Sequence, residues 1–324
     1  MAEELKPQDF DGYVGQEAFV SNLKVYIKAA RQRKVPLDHM LLAGPPGIGK
    51  TSLVEVTAHA LGVPMVTVIG TALNKPEQLS QLASLPEGGI FFIDEIHGIS
   101  PKMQDALLLA LEGFKIWLKD PRYKDLTEIS VPKFTCIGAT TELGRLAKPL
   151  RDRFGVMGQL TFLKQDAMLQ LVLRSSSILG LKATPEGLLE IVKRSRGTPR
   201  VANNFLRRVV DFALVENKVA DAAFVSGVAR RMGIDGKGLT RLDRDVLRVI
   251  ANQFSGGPVG IEAIASTLSE SVETIASVQE PYLVKKGLLA RQPKGRVITA
   301  AGRKYLERLK QHVTDSASHA GRVN

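Results

Sequence analysis

In the first half of the chain, short unbroken apolar runs alternate with longer stretches in which apolar residues recur every three or four positions. Such runs predict strands at 40–43, 65–69, 90–93 and 134–138, and the four apolar residues of 90–93 can be buried on both faces. Between them, 16–31 gathers Phe19, Leu23, Val25, Tyr26 and Ile27 toward one face, and 50–61 and 101–113 also read as helices. Strands alternating with amphipathic helices predict an α/β domain with a parallel sheet.

The pattern changes near residue 166, and no strand period is convincing from there to 233. Pro185-Glu186 opens a helix bearing Leu188, Leu189, Ile191 and Val192, and Pro199-Arg200 opens another with Val201, Phe205, Val209 and Phe212 on its apolar side. An all-helical lid is expected. From about 240 the order is three helices, at 243–254, 261–268 and 271–286, and then two short strands, 288–291 and 296–299, around the turn Gln292-Pro293-Lys294-Gly295. Three helices followed by a hairpin make a winged helix. The expected division is therefore 1–163, 164–238 and 239–311, with a small, polar and disordered tail at 312–324.

Charge separates these parts further. The first 163 residues hold 18 basic and 18 acidic side chains, whereas 164–240 hold 13 against 7 and 241–324 hold 13 against 8. The whole excess of +11 lies in the C-terminal parts, as suits a protein that touches a polyanion there. No apolar run approaches the ~18 residues of a membrane span. The N-terminus lacks the pattern of a secretory signal, and the single Cys136, in a strand-like run, has no disulfide partner in the chain. A cytoplasmic protein is expected.

The chemistry begins directly after the first strand. Gly44-Pro45-Pro46-Gly47-Ile48-Gly49-Lys50-Thr51 is a complete phosphate-binding loop of the form G-x-x-x-x-G-K-T. Its glycines let backbone N–H groups turn inward around phosphates, the helix that follows adds its positive end, Lys50 reaches the β- and γ-phosphates, and Thr51 supplies a hydroxyl to Mg²⁺. Ser52 follows in the same helix start. About forty residues on, the run 90–93 ends in Asp94-Glu95. Ligands of open parallel sheets sit beyond the carboxyl ends of the strands, so Asp94 is expected to support the metal and Glu95 to orient and deprotonate the attacking water. His97 is read as a helix-start side chain without a role.

Two arginines and a threonine extend this engine. In Leu150-Arg151-Asp152-Arg153-Phe154-Gly155 a guanidinium is placed to act on a neighbour's γ-phosphate, which requires an oligomer. Arg200, after Gly197-Thr198-Pro199, is placed to meet phosphates in its own subunit. Thr141, or Thr140, ends a strand where a hydroxyl can sense the γ-phosphate or hold water. On the hairpin, Arg291, Lys294 and Arg296 form a cationic cluster fit to run beside a nucleic-acid backbone.

From about Leu5 to Leu309 the chain resembles the RuvB family of AAA+ motors for Holliday-junction branch migration. The likeness rests on Tyr13-Val14-Gly15-Gln16, the phosphate loop, Phe92-Ile93-Asp94-Glu95-Ile96-His97, Ile137-Gly138-Ala139-Thr140-Thr141, the segment around Arg153, Arg194-Ser195-Arg196-Gly197-Thr198-Pro199-Arg200, Gly256-Gly257-Pro258-Val259-Gly260 and Glu280-Pro281-Tyr282-Leu283. The loop and acidic pair are shared by all AAA+ proteins, whereas the last two segments are particular to this family. The resemblance implies an AAA+ core, a helical lid and a winged helix. It implies ATP and Mg²⁺ as cofactors, a hexameric ring, DNA as the track, and a part in recombination and repair. It makes Thr141 the first sensor, Arg153 the finger acting in trans and Arg200 the second sensor. Tyr13 and Val14 would line the adenine pocket, with Pro199 also at the nucleotide, and the wing residues Arg291, Lys294 and Arg296 would meet DNA.

The sequence departs from the family at several positions. Lys6 and Leu163 replace a usual arginine and a usual aromatic, and Glu142 replaces another arginine. The hairpin between Phe114 and Phe134, which in the family docks on RuvA through apolar residues, carries Lys119-Asp120-Pro121-Arg122-Tyr123-Lys124-Asp125. Desolvating those charges is costly, so the usual partner is expected to be altered or absent. The rival functional reading is an ATP-dependent loader that places a partner on DNA and uses hydrolysis for release.

Overall fold

The computed structural model describes residues 4–119 and 126–320. The chain begins with α1 (Glu17–Arg33), β1 (Met40–Ala43), α2 (Lys50–Leu61), β2 (Met65–Ile69), β3 (Ile90–Asp94) and α3 (Pro101–Gly113). It continues through β4 (Lys115–Lys119), β5 (Leu126–Ser130), β6 (Thr135–Thr140), α4 (Lys148–Asp152) and β7 (Val156–Gln159). Four helices follow: α5 (Gln165–Ile178), α6 (Pro185–Arg194), α7 (Pro199–Glu216) and α8 (Ala222–Arg231). The last part comprises α9 (Arg241–Asn252), α10 (Ile261–Leu268), α11 (Val272–Thr274), α12 (Glu280–Lys285), β8 (Leu289–Gln292), β9 (Gly295–Ile298) and α13 (Ala300–Ala320).

These elements form two compact units, one through Gly180 that also takes Gly197–Leu206, the other of Leu181–Arg196 and Arg207 onward. The division falls inside the expected helical lid. Helix α5 belongs to the first unit, α6 and α8 belong to the second, and α7 contributes to both.

The first unit is built on a five-stranded sheet in the order β2-β3-β6-β1-β7, with every pair parallel. Strands β1 and β6 are buried along their whole length, which explains their continuous apolar runs. One sheet face packs Leu41, Phe91, Ile93 and Cys136 against Met103 and Leu107 of α3, together with Phe134, Leu150 and Phe154. Each fully buried side chain of this kind stabilises the fold by about 1.5–3 kcal/mol. Helix α3 starts cleanly because the Ser100 side chain accepts from Met103 N–H while Pro101 takes the first helical position. Register then sets the site: Ala43 lies beside Thr140 and Ile93 beside Gly138, so the carboxyl ends of β1, β3 and β6 lie together.

Strand β7 escaped the sequence reading. It is an edge strand of four residues with alternating burial and no continuous apolar run. Strands β4 and β5 form the separate antiparallel hairpin that the resemblance implied, with Lys115 paired to Glu128 at 2.7 Å. The charged stretch of its tip, 120–125, lies outside the described residues.

The second unit contains the three-helix-and-hairpin arrangement. Thr240 and Asp243 cap α9 reciprocally, and Val246, Leu247 and Ile250 pack with Ile264, Leu283, Leu289, Ile298 and Tyr305. The expected single helix at 271–286 is α11, a π-turn at Ile275–Gln279, and α12. Pro281 explains the change: it lacks an N–H and its ring crowds the carbonyl four residues back, a conflict that a locally widened turn relieves. The wing turn is tighter than expected, because Gln292 and Gly295 still pair and only Pro293 and Lys294 lie between them. Val259 pairs with Arg296 of β9 through two backbone hydrogen bonds, 3.0 and 2.8 Å, which ties the Gly-Gly-Pro-Val-Gly segment to the wing. Where a disordered tail was expected from residue 312, α13 runs on to Ala320.

Candidate functional site

The phosphate loop leaves β1 at Gly44 and enters α2 at Lys50. Ile48 is buried and anchors the loop, while Pro46 and Ser52 are partly exposed beside it. Gly47 has φ 72°, and a Cβ there would stand 2.8 Å from that of Arg200. Only glycine permits this approach, in which Arg200 N–H donates to the Gly47 carbonyl at 3.2 Å. The start of α7, with Pro199 and Arg200, is thereby set against the loop.

Lys50 is buried, and its ammonium donates to the carbonyls of Gly44 at 2.8 Å and Pro45 at 3.1 Å. Burial pulls its pKa below the ordinary lysine value; the charges of Glu95 and Asp94 act in the opposite sense and that of Arg200 in the same sense. Thr51 Oγ1 donates to Asp94 Oδ2 at 3.2 Å, and Asp94 Oδ1 accepts the Glu95 N–H at 3.0 Å. Thr141 Oγ1 donates to Glu95 Oε2 at 3.2 Å. The structure thus brings together Lys50, Thr51, Asp94, Glu95, Thr141 and Arg200. Thr140 is fully buried, and its hydroxyl accepts from the N–H of Glu142 at 2.9 Å.

Tyr13 is buried, with its hydroxyl 3.4 Å from the Gly49 carbonyl, and burial raises its pKa. Val14 is partly exposed next to it. Two devices hold this segment that the sequence alone did not reveal. The Gln16 amide donates to Thr161 O at 2.7 Å and accepts from Thr161 N–H at 3.2 Å. Arg174 of α5 donates to the carbonyls of Gly12 and Leu5. Both act across more than a hundred residues, so no local pattern could signal them.

Arg153 lies elsewhere in the first unit. Its exposed guanidinium reaches the Leu111 and Glu112 carbonyls at the end of α3, at 3.5 and 3.4 Å. There it lines a cavity of about 340 Å³ with His39, Leu111, Phe114, Phe134 and Gly155, and no phosphate-loop residue borders that cavity.

On the wing, Arg291 and Arg296 face each other across the two strands. Glu280, 1 % exposed, accepts from both: Arg291 Nε at 2.6 Å, Arg296 Nε at 3.1 Å and Arg296 Nη2 at 3.2 Å. Arg291 remains 59 % exposed and Arg296 25 %. Lys294 is exposed in the turn. One buried carboxylate under two arginines holds them side by side and leaves the tip cationic. Glu280 was missed as a wing partner because only the fold brings it to the hairpin.

Three family models match in succession. The P-loop domain of the Holliday junction DNA helicase RuvB matches 5–160, the RuvB AAA lid domain 163–235 and the RuvB C-terminal winged helix domain 236–307. The chain is 42 % identical over 307 residues to the Holliday junction branch migration complex subunit RuvB of Paramagnetospirillum magneticum, covering 93 % of this chain and 88 % of that one. It is 41 % identical over 312 residues to the protein of the same description from Oleidesulfovibrio alaskensis, covering 95 % and 97 %. The solved RuvB Holliday junction branch migration motor of Thermotoga maritima superposes with a TM-score of 0.86 at 35 % identity, covering 94 % of this chain and 98 % of that one.

Proposed function

This chain belongs to the RuvB family, and from that premise we propose how its own residues perform the work of an ATP-driven Holliday-junction branch-migration motor. The observation that carries the reading is the convergence of Lys50, Thr51, Asp94, Glu95 and Thr141 at the carboxyl edge of one sheet, in a chain matched along its length by RuvB domains.

Lys50 exchanges the Gly44 and Pro45 carbonyls for oxygens of the β- and γ-phosphates, which suits an ammonium that burial already destabilises. Tyr13 and Val14 border the base, and Gly44, Pro46, Gly47, Ile48, Gly49, Ser52 and Pro199 shape the phosphate cradle. The donor set near the phosphates fits Mg²⁺. Among the described residues no group of three or more His, Cys, Asp or Glu forms a metal cage, and Thr51 and Asp94 offer one hydroxyl and one carboxylate, as suits an ion that keeps waters and phosphate oxygens. When bound, Mg²⁺ neutralises charge that develops on the phosphates.

Glu95 takes the proton of the attacking water while Thr141 holds the carboxylate. Arg153 acts on the nucleotide of a neighbouring copy, which motivates a hexameric ring. Arg200, seated against the loop by its own backbone, responds to loss of the γ-phosphate. DNA is the track, met by Arg291, Lys294 and Arg296.

The relatives' description as branch migration complex subunits supports a RuvA-type junction-binding partner despite the charged hairpin stretch, and does not favour a loader. No helix among the described residues is long and apolar enough to cross a membrane. The test is strand migration on a synthetic four-way junction. Product is expected only with ATP; ATP turnover without migrated strands would overturn the motor reading.

A further inference from the structure

Glu280 follows the π-turn at Ile275–Gln279 and opens α12, where its side chain is buried. Among the described residues, the side-chain donors to its carboxylate are both on the wing: Arg291 donates through Nε to Oε1, and Arg296 through Nε to Oε1 and Nη2 to Oε2. The two arginines lie directly opposite one another on β8 and β9, where like charges repel, and the shared carboxylate offsets that repulsion.

The backbone beneath them has its own support. Arg296 exchanges two hydrogen bonds with Val259, and Gly295 lies so close that a Cβ there would stand 2.4 Å from the Val259 carbonyl. What Glu280 adds is therefore the direction of the guanidinium groups. These are used differently. Arg296 meets Glu280 through two nitrogens and is half-buried, whereas Arg291 meets it through Nε alone and stays exposed. Among the described residues the Nη groups of Arg291 donate to nothing, so the outer edge of its planar fork is open to an anion while the inner edge is anchored.

Burying a carboxylate is costly, and buried ion pairs are often replaced by apolar residues without loss of stability. Stability alone thus gives no reason for an acid at this position. Direction does: a free arginine side chain samples many rotamers, and ordering it on binding lowers affinity.

We propose that Glu280 is a positioning residue for DNA binding: its buried carboxylate takes Arg291 Nε and turns the Nη edge of that guanidinium toward a backbone phosphate, with Arg296 fixed beside it. The proposal rests on the wing meeting DNA. Charge and direction then make opposite demands. Glu280→Gln adds one positive charge to the wing, which by itself tightens binding to a polyanion. Loss of the anchor weakens it.

Fluorescence anisotropy with labelled duplex DNA across a salt series, on the full chain, compares the parent with Glu280→Gln, Arg291→Lys, their double variant and Arg291→Ala/Arg296→Ala. Glu280→Gln is expected to raise Kd about three- to tenfold at fixed salt, the range for ordering a long side chain on binding. Its slope of log K against log[salt] should equal the parent's, because no cation has been removed. Arg291→Lys keeps the charge, but lysine has a single nitrogen, and anchoring it on the buried carboxylate withdraws it from the surface; Kd should rise by a similar factor. The double variant should bind more tightly than the product of the two single losses, as partners in one interaction require.

An unchanged Kd and slope in the alanine pair would overturn the reading of the wing as a DNA contact. If the alanine pair weakens binding while Glu280→Gln binds as tightly as the parent or more tightly, Glu280 does not position the arginines. A slope that falls in Glu280→Gln as far as in the alanine pair would mean that Glu280 builds the wing rather than directs it, which equally overturns the proposal. Should Glu280→Gln not fold, Arg291→Lys decides: a Kd equal to the parent's would mean that charge alone suffices.

Discussion

The Thr51 hydroxyl donates to Asp94 Oδ2 at 3.2 Å, joining the loop after β1 to the end of β3. Both oxygens are hard donors, and the Asp94 charge acts on the buried Lys50 ammonium, so the metal and the phosphates are expected to bind as one unit. Thr51→Val preserves shape and removes the hydroxyl. ATP affinity of the parent chain is expected to rise on adding Mg²⁺, and that gain should fall about tenfold in the variant, the low end for loss of a metal's supporting oxygen. Calorimetric titrations with Mg²⁺ and with EDTA read the difference. An equal gain in both proteins would remove Thr51 from the metal site.

Arg153 donates to carbonyls at the end of α3, in a cavity that no phosphate-loop residue lines. On the proposal that it acts in trans, it should be dispensable for nucleotide binding and required for turnover. Arg153→Ala should bind ATP normally and lose about 10³-fold or more in kcat. Mixing it with Lys50→Ala, which should not bind nucleotide, ought to restore part of the turnover, because one interface then has an intact loop and an intact finger. No recovery at any mixing ratio would argue against action across subunits.

Glu280 fixes both wing arginines from beneath, and Arg291 is the more exposed of the two. Replacing Arg291 and Arg296 by alanine should weaken duplex binding and reduce the slope of log K against log[salt] by about two units, one for each phosphate that the wing no longer neutralises. Fluorescence anisotropy across a salt series measures it. A slope equal to that of the parent would take the wing out of DNA binding.

The parts legible in the sequence were those written locally. Strands 40–43 and 65–69 and helices 50–61, 101–113 and 261–268 appear with the expected limits, because short apolar runs, a Gly-Lys-Thr loop and a Ser-Pro start act within a few residues. What escaped depends on distant partners. Strand β7 is defined by its pairing with β1, Gln16 by Thr161, Arg174 by Gly12 and Glu280 by two arginines of a hairpin.

His39 gives the site a pH dependence whose sign follows from its surroundings. Nδ1 accepts the Cys136 N–H at 2.9 Å, so Nε2 carries the proton and faces the Leu111 carbonyl at 3.4 Å, the same carbonyl that Arg153 reaches. Burial foremost, and the Arg153 charge, pull its pKa below the ordinary 6.5, while the Leu111 hydrogen bond and Asp38 oppose them; Lys133 also lines the cavity. Between that lowered value and 6.5 the unfolded chain binds more protons than the folded one, so stability rises with pH in this window. The contribution is complete above about 6.5 and is lost as pH falls through the folded value. His39→Asn keeps an acceptor near the Nδ1 position and removes the titrating ring. The thermal midpoint of the parent should therefore fall more steeply than that of the variant as pH drops below 6.5, and parallel curves would mean that His39 does not couple to folding.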